Sequence, residues 1–223
     1  LWVNSHLERS VSFLENNKGF SAVFSRFERF YKFRDGSFPE IDLEAESSDE
    51  VGCRFDIFGY VYHLILFDSL VSIITAVVRR SLYDELGGFR ENLPRGEDYD
   101  FWVRASRVTP FARFRQVHAF YRKHGTSITS TFAERDYFFE VVKSAVDQFG
   151  LVGPDGTRID DKKMRRHFAQ MRFSHGYGHF YRASPLIACR AFADSIKYNP
   201  WRVKSLLYLV FSGFKVLITV ARR

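Results

Sequence analysis

The run VSIITAVV at residues 71–78 opens the stretch of sequence that decides the fold. It is compact and rich in β-branched side chains, and it predicts a strand buried on both faces. The next segment, SLYDEL at residues 81–86, predicts a short helix with Ser81 as its N-cap and a stop at Gly87-Gly88. Ser and Gly satisfy the unpaired main-chain groups at the two ends of a helix.

A second helix and a strand follow this segment. The second helix is predicted from Gly96 to Val108, and its first turn holds Glu97, Asp98 and Asp100, where the helix dipole favours negative charge. Phe111 to Arg122 has apolar residues at alternate positions, which indicates a later strand. Strand, helix and strand joined by short loops predict an α/β sheet.

The part of the chain before this stretch contains a further helix and strand. The helix is predicted over Ser5 to Leu14, and the strand over Phe20 to Phe33, ahead of a turn at Asp35-Gly36. Residues 37–50 are acidic and polar and predict an exposed loop, whereas residues 51–70 are apolar without a clear period. The structure of that last segment stays open.

The part of the chain after residue 131 predicts helices alone. The first runs from Phe132 to Phe149, and a helical region continues from about Asp160 to the end. Pro185 and Pro200 interrupt this region, because proline cannot continue the helical hydrogen-bond ladder. The sheet and the helical region together predict an α/β domain with an α-helical extension.

The composition restricts the class of protein. With 223 residues and 46% hydrophobic content, the chain is apolar enough to fold. Cys53 and Cys189 are far apart, which predicts a reducing compartment and favours the cytoplasm. The net charge of +7 suits nucleic acid, anionic lipid or a phosphorylated substrate. The 25 Phe and 11 Tyr are spread along the chain without a basic-aromatic patch, so we expect no nucleic-acid partner.

The carboxylate pair Glu97 and Asp98 is a candidate catalytic feature. It opens a helix at the mouth of the predicted sheet, where open α/β folds bind ligands. A carboxylate there could take a proton from an acceptor hydroxyl as that hydroxyl attacks a sugar carbon. The spacing is equally compatible with acidic residues that only stabilise the helix N-terminus.

Three motifs resemble glycosyltransferase family 2. They are VRRSLYDELGGFRE at residues 78–91, GEDYDFWVR at residues 96–104 and YRKHGTS at residues 121–127, and they occur in the order of the family and at ordinary separations. The resemblance implies an inverting transferase with a GT-A, Rossmann-like fold. It covers residues 1–127, and the helical region is only loosely similar to family members.

The resemblance also implies roles for individual residues. Asp98 becomes the catalytic base with Glu97 as its neighbour, and His124 ligates a divalent metal, Mn²⁺ or Mg²⁺, or contacts the diphosphate. Apart from this resemblance, the sequence around His124 indicates an ordinary surface histidine. The remaining expected substrate-binding residues are Arg79, Arg80, Arg104 and Trp102, the arginines because guanidinium groups suit bidentate contacts with phosphate.

The resemblance divides the chain into two parts. Residues 1–128 correspond to the carboxyl-terminal portion of a GT-A domain, and residues 129–223 form the helical extension. The first helix looks like the segment that follows the acidic metal-binding motif of the family, which we expect just upstream of Leu1. A chain that lacks this motif and the first nucleotide-binding strands should bind a donor poorly.

Two other clusters contain residue types that could bind a metal ion. His167, His175 and His179 could lie on one helix face, but the Glu of a zinc-protease helix is absent, and Gly176 and Gly178 weaken a helix there. The other cluster lacks the ligand spacing of a calcium loop and indicates a solvated turn; its members are Asp155, Asp160 and Asp161.

The last helix, Trp201 to Arg223, is apolar apart from a narrow polar stripe. Its apolar part is about 24 Å long at ~1.5 Å per residue, shorter than the ~30 Å hydrocarbon core. The pattern favours a helix in the membrane interface with Trp201 as an anchor, or a helix packed on the catalytic domain or a partner subunit. In the first case, five cations would face anionic head groups: Arg202, Lys204, Lys215, Arg222 and Arg223.

The sequence as a whole predicts a glycosyltransferase. It would move a sugar from a nucleotide-sugar donor to a saccharide or lipid-linked acceptor, with inversion, in cell-surface polysaccharide synthesis. The expected location is the cytoplasm, peripherally on the inner face of the membrane. The alternative is a non-catalytic membrane-associated or scaffolding module that retains a degenerate transferase sheet.

Overall fold

The computed structural model describes residues 1–44, 55–123 and 133–221, with side chains through residue 218. These residues form a four-stranded mixed sheet and eight α-helices, so the predicted α/β class is confirmed. The strands are β1 (Ala22–Tyr31), β2 (Phe55–Gly59), β3 (Val77–Val78) and β4 (Phe111–Lys123). The helices are α1 (His6–Asn16), α2 (Tyr62–Ile65), α3 (Arg80–Glu85), α4 (Glu97–Ala105), α5 (Tyr137–Phe149), α6 (Asp161–Arg182), α7 (Pro185–Tyr198) and α8 (Val203–Ala221).

The sheet has the strand order β2-β4-β1-β3. Its two long central strands, β1 and β4, are parallel, and the short strands β2 and β3 pair antiparallel at the edges. Asp56 on β2 accepts hydrogen bonds from Arg113 on β4 at 2.7 and 2.9 Å and is also paired with Arg26 on β1. One carboxylate therefore links three strands, and these arginines hold the pKa of Asp56 below its ordinary value.

The sheet packs against α1 through an aromatic core. Phe13 and Leu14 of the helix are buried on Val23 of β1 and on Ala112 and Phe114 of β4. The predicted helix at Ser5–Leu14 and the predicted strands at Phe20–Phe33 and Phe111–Arg122 are confirmed, with bounds that differ by up to two residues. Their local patterns suffice to locate each element, although β1 and β4 bury consecutive residues on both faces along part of their length.

The run at residues 71–78 does not form the predicted strand buried on both faces. Ile73–Thr75 is a 3₁₀ turn, and only Val77 and Val78 pair with the sheet, as an edge strand with half-buried side chains. The Thr75 hydroxyl donates to the carbonyl of Ser72 at 3.2 Å and its main-chain N–H donates to the same carbonyl at 3.0 Å, which closes the turn. The same hydroxyl lies 3.1 Å from the carbonyl of Ser25 in β1, so a local and a tertiary hydrogen bond together override strand propensity.

Two predicted helix starts and one predicted helix end need correction. Arg79 lies at the N-cap position of α3, so Ser81 is inside that helix and is not its N-cap. Helix α4 is shorter than predicted, because Ala105 is followed by turns through Thr109. Helix α5 begins at Tyr137 because the Asp136 carboxylate accepts from the N–H of Phe139 at 3.3 Å and caps the helix there.

The described residues divide into two compact units. The first comprises Leu1–Ser127 with Val152–Thr157, and the second comprises Ile128–Leu151 with Arg158–Arg223. In the second unit, α6, α7 and α8 are separated where Pro185 and Pro200 were predicted to break the helical region. Within the described residues, every helix falls short of the combined length and apolarity that crossing a bilayer requires.

The polar stripe of α8 and the residue Arg202 just before it contact α6 within the second unit. Lys215 Nζ donates to the carbonyl of Phe180 at 2.9 Å, and Arg202 Nη2 donates to Gln170 Oε1 at 2.6 Å. Each cation thus has one contact with protein, while Lys215 is still exposed, so the expectation that these cations face head groups stays a prediction. Lys204 is exposed as expected, and the side chains of Arg222 and Arg223 lie outside the described residues.

Candidate active site

The start of α4 depends on a glycine. Gly96 has φ +77°, in the left-handed region that side chains other than glycine rarely adopt, and it directly precedes the first helical residue, Glu97. Its carbonyl accepts from the N–H of Asp100 at 2.9 Å, which is the first helical hydrogen bond. The turn thereby places three carboxylates in the first helical turn of α4.

Asp100 has a structural role in the first unit. Its side chain is only 7% exposed and pairs with Arg104 at 2.8 Å and Arg90 at 3.2 Å. Arg104 also donates to the carbonyls of Leu86 at 2.6 Å and Gly88 at 2.8 Å. This buried network fixes the Gly-Gly turn after α3 against α4, and it gives each nitrogen of the Arg104 guanidinium an acceptor.

Asp98 has a different environment from Asp100. It is half-buried, and neither it nor Glu97 forms a salt bridge with another described residue. Burial raises the pKa of the Asp98 carboxyl and the charge of Glu97 raises it further, while the hydrogen bond from the Tyr99 N–H at 2.7 Å lowers it. A carboxylate with a raised pKa binds a proton more readily, as a general base requires.

The remaining side of α4 is anchored in the core. The Tyr99 hydroxyl donates to the carbonyl of Ile65 in α2 at 2.7 Å. Trp102 is 3% exposed and packs against Phe101 and Phe111, with ring centroids 4.9 and 6.4 Å away. This placement gives Trp102 a role in orienting α4, and the expectation that it also binds substrate stays a prediction.

The three arginines expected to contact phosphate lie in different environments. Arg79 donates to the carbonyls of Leu14 and Phe20, the latter at 3.0 Å, and so joins α1 to the start of β1. Arg104 belongs to the buried network of Asp100. Arg80 is exposed and pairs with Asp84 at 2.8 Å across one helical turn. Only Arg80 of these three presents its guanidinium to solvent.

The described residues do not form a metal site. They contain no group of three or more His, Cys, Asp or Glu side chains that could hold an ion. His124, the expected ligand, lies outside the described residues. His175 Nε2 lies 3.2 Å from the carbonyl of Glu134, and His179 Nε2 lies 3.0 Å from that of Ala133. Within the second unit, these two contacts fix the residues that precede α5.

The acidic cluster that follows α5 is structural. The Asp155 carboxylate accepts from the N–H and the hydroxyl of Thr157, at 3.1 and 2.8 Å, within a turn. Asp160 caps α6 by accepting from the N–H of Lys163 at 2.7 Å. The prediction of a solvated turn fits this arrangement.

A buried histidine pair was missed by the sequence analysis. His6 of α1 and His118 of β4 are fully buried, with their Nδ1 atoms 3.4 Å apart. Burial lowers the pKa of His6, which favours its neutral form. In sequence, His118 lies between the alternate apolar residues Val117 and Ala119, but register shifts between Ser25 and Phe27 of β1 interrupt that alternation.

Comparison with known proteins finds no family model that matches this chain. The curated proteins searched likewise contain no match.

Proposed function

We propose that this chain carries the acceptor-activating base of an inverting, nucleotide-sugar-dependent glycosyltransferase. The observation that carries the proposal is the environment of Asp98, a half-buried carboxylate of raised pKa that makes no ion pair with a described residue. Its neighbour Asp100 carries the structural ion pairs of the same helix. The three motifs that resemble glycosyltransferase family 2 support the identity of the reaction.

The proposed reaction is a single displacement. Asp98 accepts the proton of an acceptor hydroxyl, and the hydroxyl oxygen forms a bond to the anomeric carbon of the donor. The bond from that carbon to the diphosphate oxygen breaks, and the nucleoside diphosphate leaves with the bonding electron pair. Attack opposite the leaving group inverts the configuration of the sugar carbon.

Several residues would position this base without contacting a substrate. The network of Asp100 and Arg104 and the contacts of Tyr99 and Trp102 fix the direction in which α4 starts. Glu97 raises the pKa of Asp98 through its charge. Arg80, which is exposed, remains the residue that we propose for a phosphate of the donor.

A divalent cation, when bound, would neutralise the charge that develops on the leaving diphosphate. The described residues do not fit such an ion, since adjacent carboxylates at Glu97 and Asp98 are too few for a metal site. We therefore propose two roles for the described residues, proton transfer by Asp98 and phosphate contact by Arg80.

The acceptor that we propose is a saccharide or a lipid-linked saccharide used in cell-surface polysaccharide synthesis. The proposed location is the cytoplasm, at the inner face of the membrane. The competing possibility, a membrane-associated module without catalysis, makes no use of the raised pKa at Asp98.

The test is the release of nucleoside diphosphate by the full-length protein from UDP-, GDP- and dTDP-sugars with Mn²⁺ or Mg²⁺. Asp98→Asn keeps an oxygen that can accept from the Tyr99 N–H but removes the base. We expect it to lower the rate by about 10²- to 10⁴-fold, the usual contribution of a general base. Glu97→Gln should have a smaller effect.

Glu85→Gln is the matched control, because Glu85 is an exposed carboxylate on the neighbouring helix α3 and does not contact Arg80 in the described salt bridges. It should keep the wild-type rate. A wild-type protein that turns over none of these donors would contradict the transferase proposal and support the module without catalysis. An Asp98→Asn protein at the wild-type rate would remove Asp98 as the base.

A further inference from the structure

Helix α8 is packed with its polar side inward. Ser205 and Ser212 are fully buried, and Ser205 Oγ lies 2.8 Å from Ser195 Oγ of α7. The Tyr208 hydroxyl lies 3.1 Å from that of Tyr181 in α6. The small serine side chains allow α8 to approach α7 closely, so the side of α8 that hydropathy would assign to water faces protein.

The opposite side of α8 is a continuous apolar stripe. At 100° per residue, it covers about 140° of the helix circumference. Its side chains are 49–66% exposed; they include Leu206, Leu207, Val210, Phe211, Phe214 and Leu217. A stripe of this width normally faces a protein core, and an exposed patch of this kind marks an interaction site.

Charge indicates what covers the stripe. Residues 162–223 hold 13 of the 33 Lys and Arg but only one of the 26 Asp and Glu, so this segment has a formal charge of +12, against −5 for residues 1–161. The single acid, Asp194, is paired with Arg172 and Lys197. A surface with this excess of cations attracts an anionic partner.

The apolar stripe and the charges are adjacent on α8. Lys204 and Lys215 are eleven residues apart, which is about three turns, so they lie along the same edge of the stripe. Trp201, just before the helix, is 91% exposed. Exposed Trp, a Leu- and Phe-rich face and flanking cations are the features of a helix that lies in a membrane interface.

We propose that the outward stripe of α8 binds the surface of an anionic lipid bilayer, with the helix axis parallel to the membrane plane. The stripe enters the boundary between head groups and acyl chains, while the inward serines hold α8 on α7. A second copy of the chain is the weaker candidate, because pairing two α8 helices would bring together two segments of +12 charge. This proposal does not rest on transferase activity.

The test is flotation of the full-length protein with vesicles of phosphatidylcholine alone or with about one-third phosphatidylserine. We expect binding to the anionic vesicles to be at least about ten-fold tighter, with a blue shift of tryptophan fluorescence as Trp201 leaves water. Leu207→Glu with Phe214→Glu should lower binding by at least about ten-fold, because two charges then face the hydrocarbon.

The matched control is Leu7→Glu with Val11→Glu, two exposed apolar residues one turn apart on α1 of the first unit. It should bind the anionic vesicles like wild type. The proposal is overturned if wild type does not bind anionic vesicles, or if the α8 variant binds as wild type does. It is also overturned if wild type does not bind vesicles and light scattering detects a wild-type dimer that the α8 variant does not form. Loss of vesicle binding with unchanged donor turnover would leave the transferase proposal intact.

Discussion

Helices α4 and α8 distribute their polar side chains in opposite ways. Helix α4 buries its aromatic residues and half-buries Asp98 at its start, whereas α8 buries serines and exposes leucine and phenylalanine. The two helices have similar amphipathic periods in sequence, so the period alone does not say which face meets protein. The difference is set by the neighbours: α4 packs on an aromatic core, and α8 packs on a helix with small side chains.

The largest difference in stability is expected between substitutions of two carboxylates of α4, Asp98 and Asp100. Asp100→Asn leaves Arg104 buried with a weakened partner, and we expect it to lower the free energy of unfolding by about 3 kcal/mol. Asp98→Asn should leave stability unchanged or increase it at neutral pH, because the folded state disfavours the charge of Asp98. Urea unfolding of both variants at pH 7 measures the difference.

The pH dependence of the free energy of unfolding shows whether the charge of Asp98 destabilises the folded state. As the pH rises from below the ordinary value of 3.8, the unfolded state releases this proton first, so the folded state loses stability until the raised pKa is passed. Asp98→Asn should remove that loss. Equal destabilisation by the Asp98 and Asp100 variants would contradict their assignment to different roles.

On α8, the expected effects of hydrophobic and polar substitutions are reversed. Ser205→Leu places a large side chain in a close helix contact and should lower the free energy of unfolding by about 1–3 kcal/mol. Leu207→Ser changes an exposed position and should alter it by less than about 0.5 kcal/mol. Thermal unfolding followed by circular dichroism compares the two. A larger effect at Leu207 would show that the outward face is buried in the protein in solution.

The features that were predicted correctly depend on residues that are neighbours in the sequence. The bounds of β4 are predicted to within one residue, Gly87 and Gly88 follow α3 with positive φ, and Pro185 lies at the start of α7. Each depends on a period of two or on the backbone preference of one residue type. Such information is contained in a few neighbouring residues.

The features that were missed depend on distant contacts. His6 and His118 are 112 positions apart, and nothing near either residue predicts that they meet. Asp100 and Arg104 have the spacing of a helical ion pair, but the carbonyls of Leu86 and Gly88 that bury the pair come from another segment. The raised pKa of Asp98 likewise follows from burial, which a motif does not encode.

The most direct measurement of the central claim is the pH–rate profile of donor turnover by wild type and Asp98→Asn. A base must be deprotonated, so the wild-type rate should fall as the pH decreases through a pKa above the ordinary 3.8 of an aspartate. The residual rate of Asp98→Asn should lack this acid limb. An acid limb with the same midpoint in both proteins would contradict the account, because another group would then be the base.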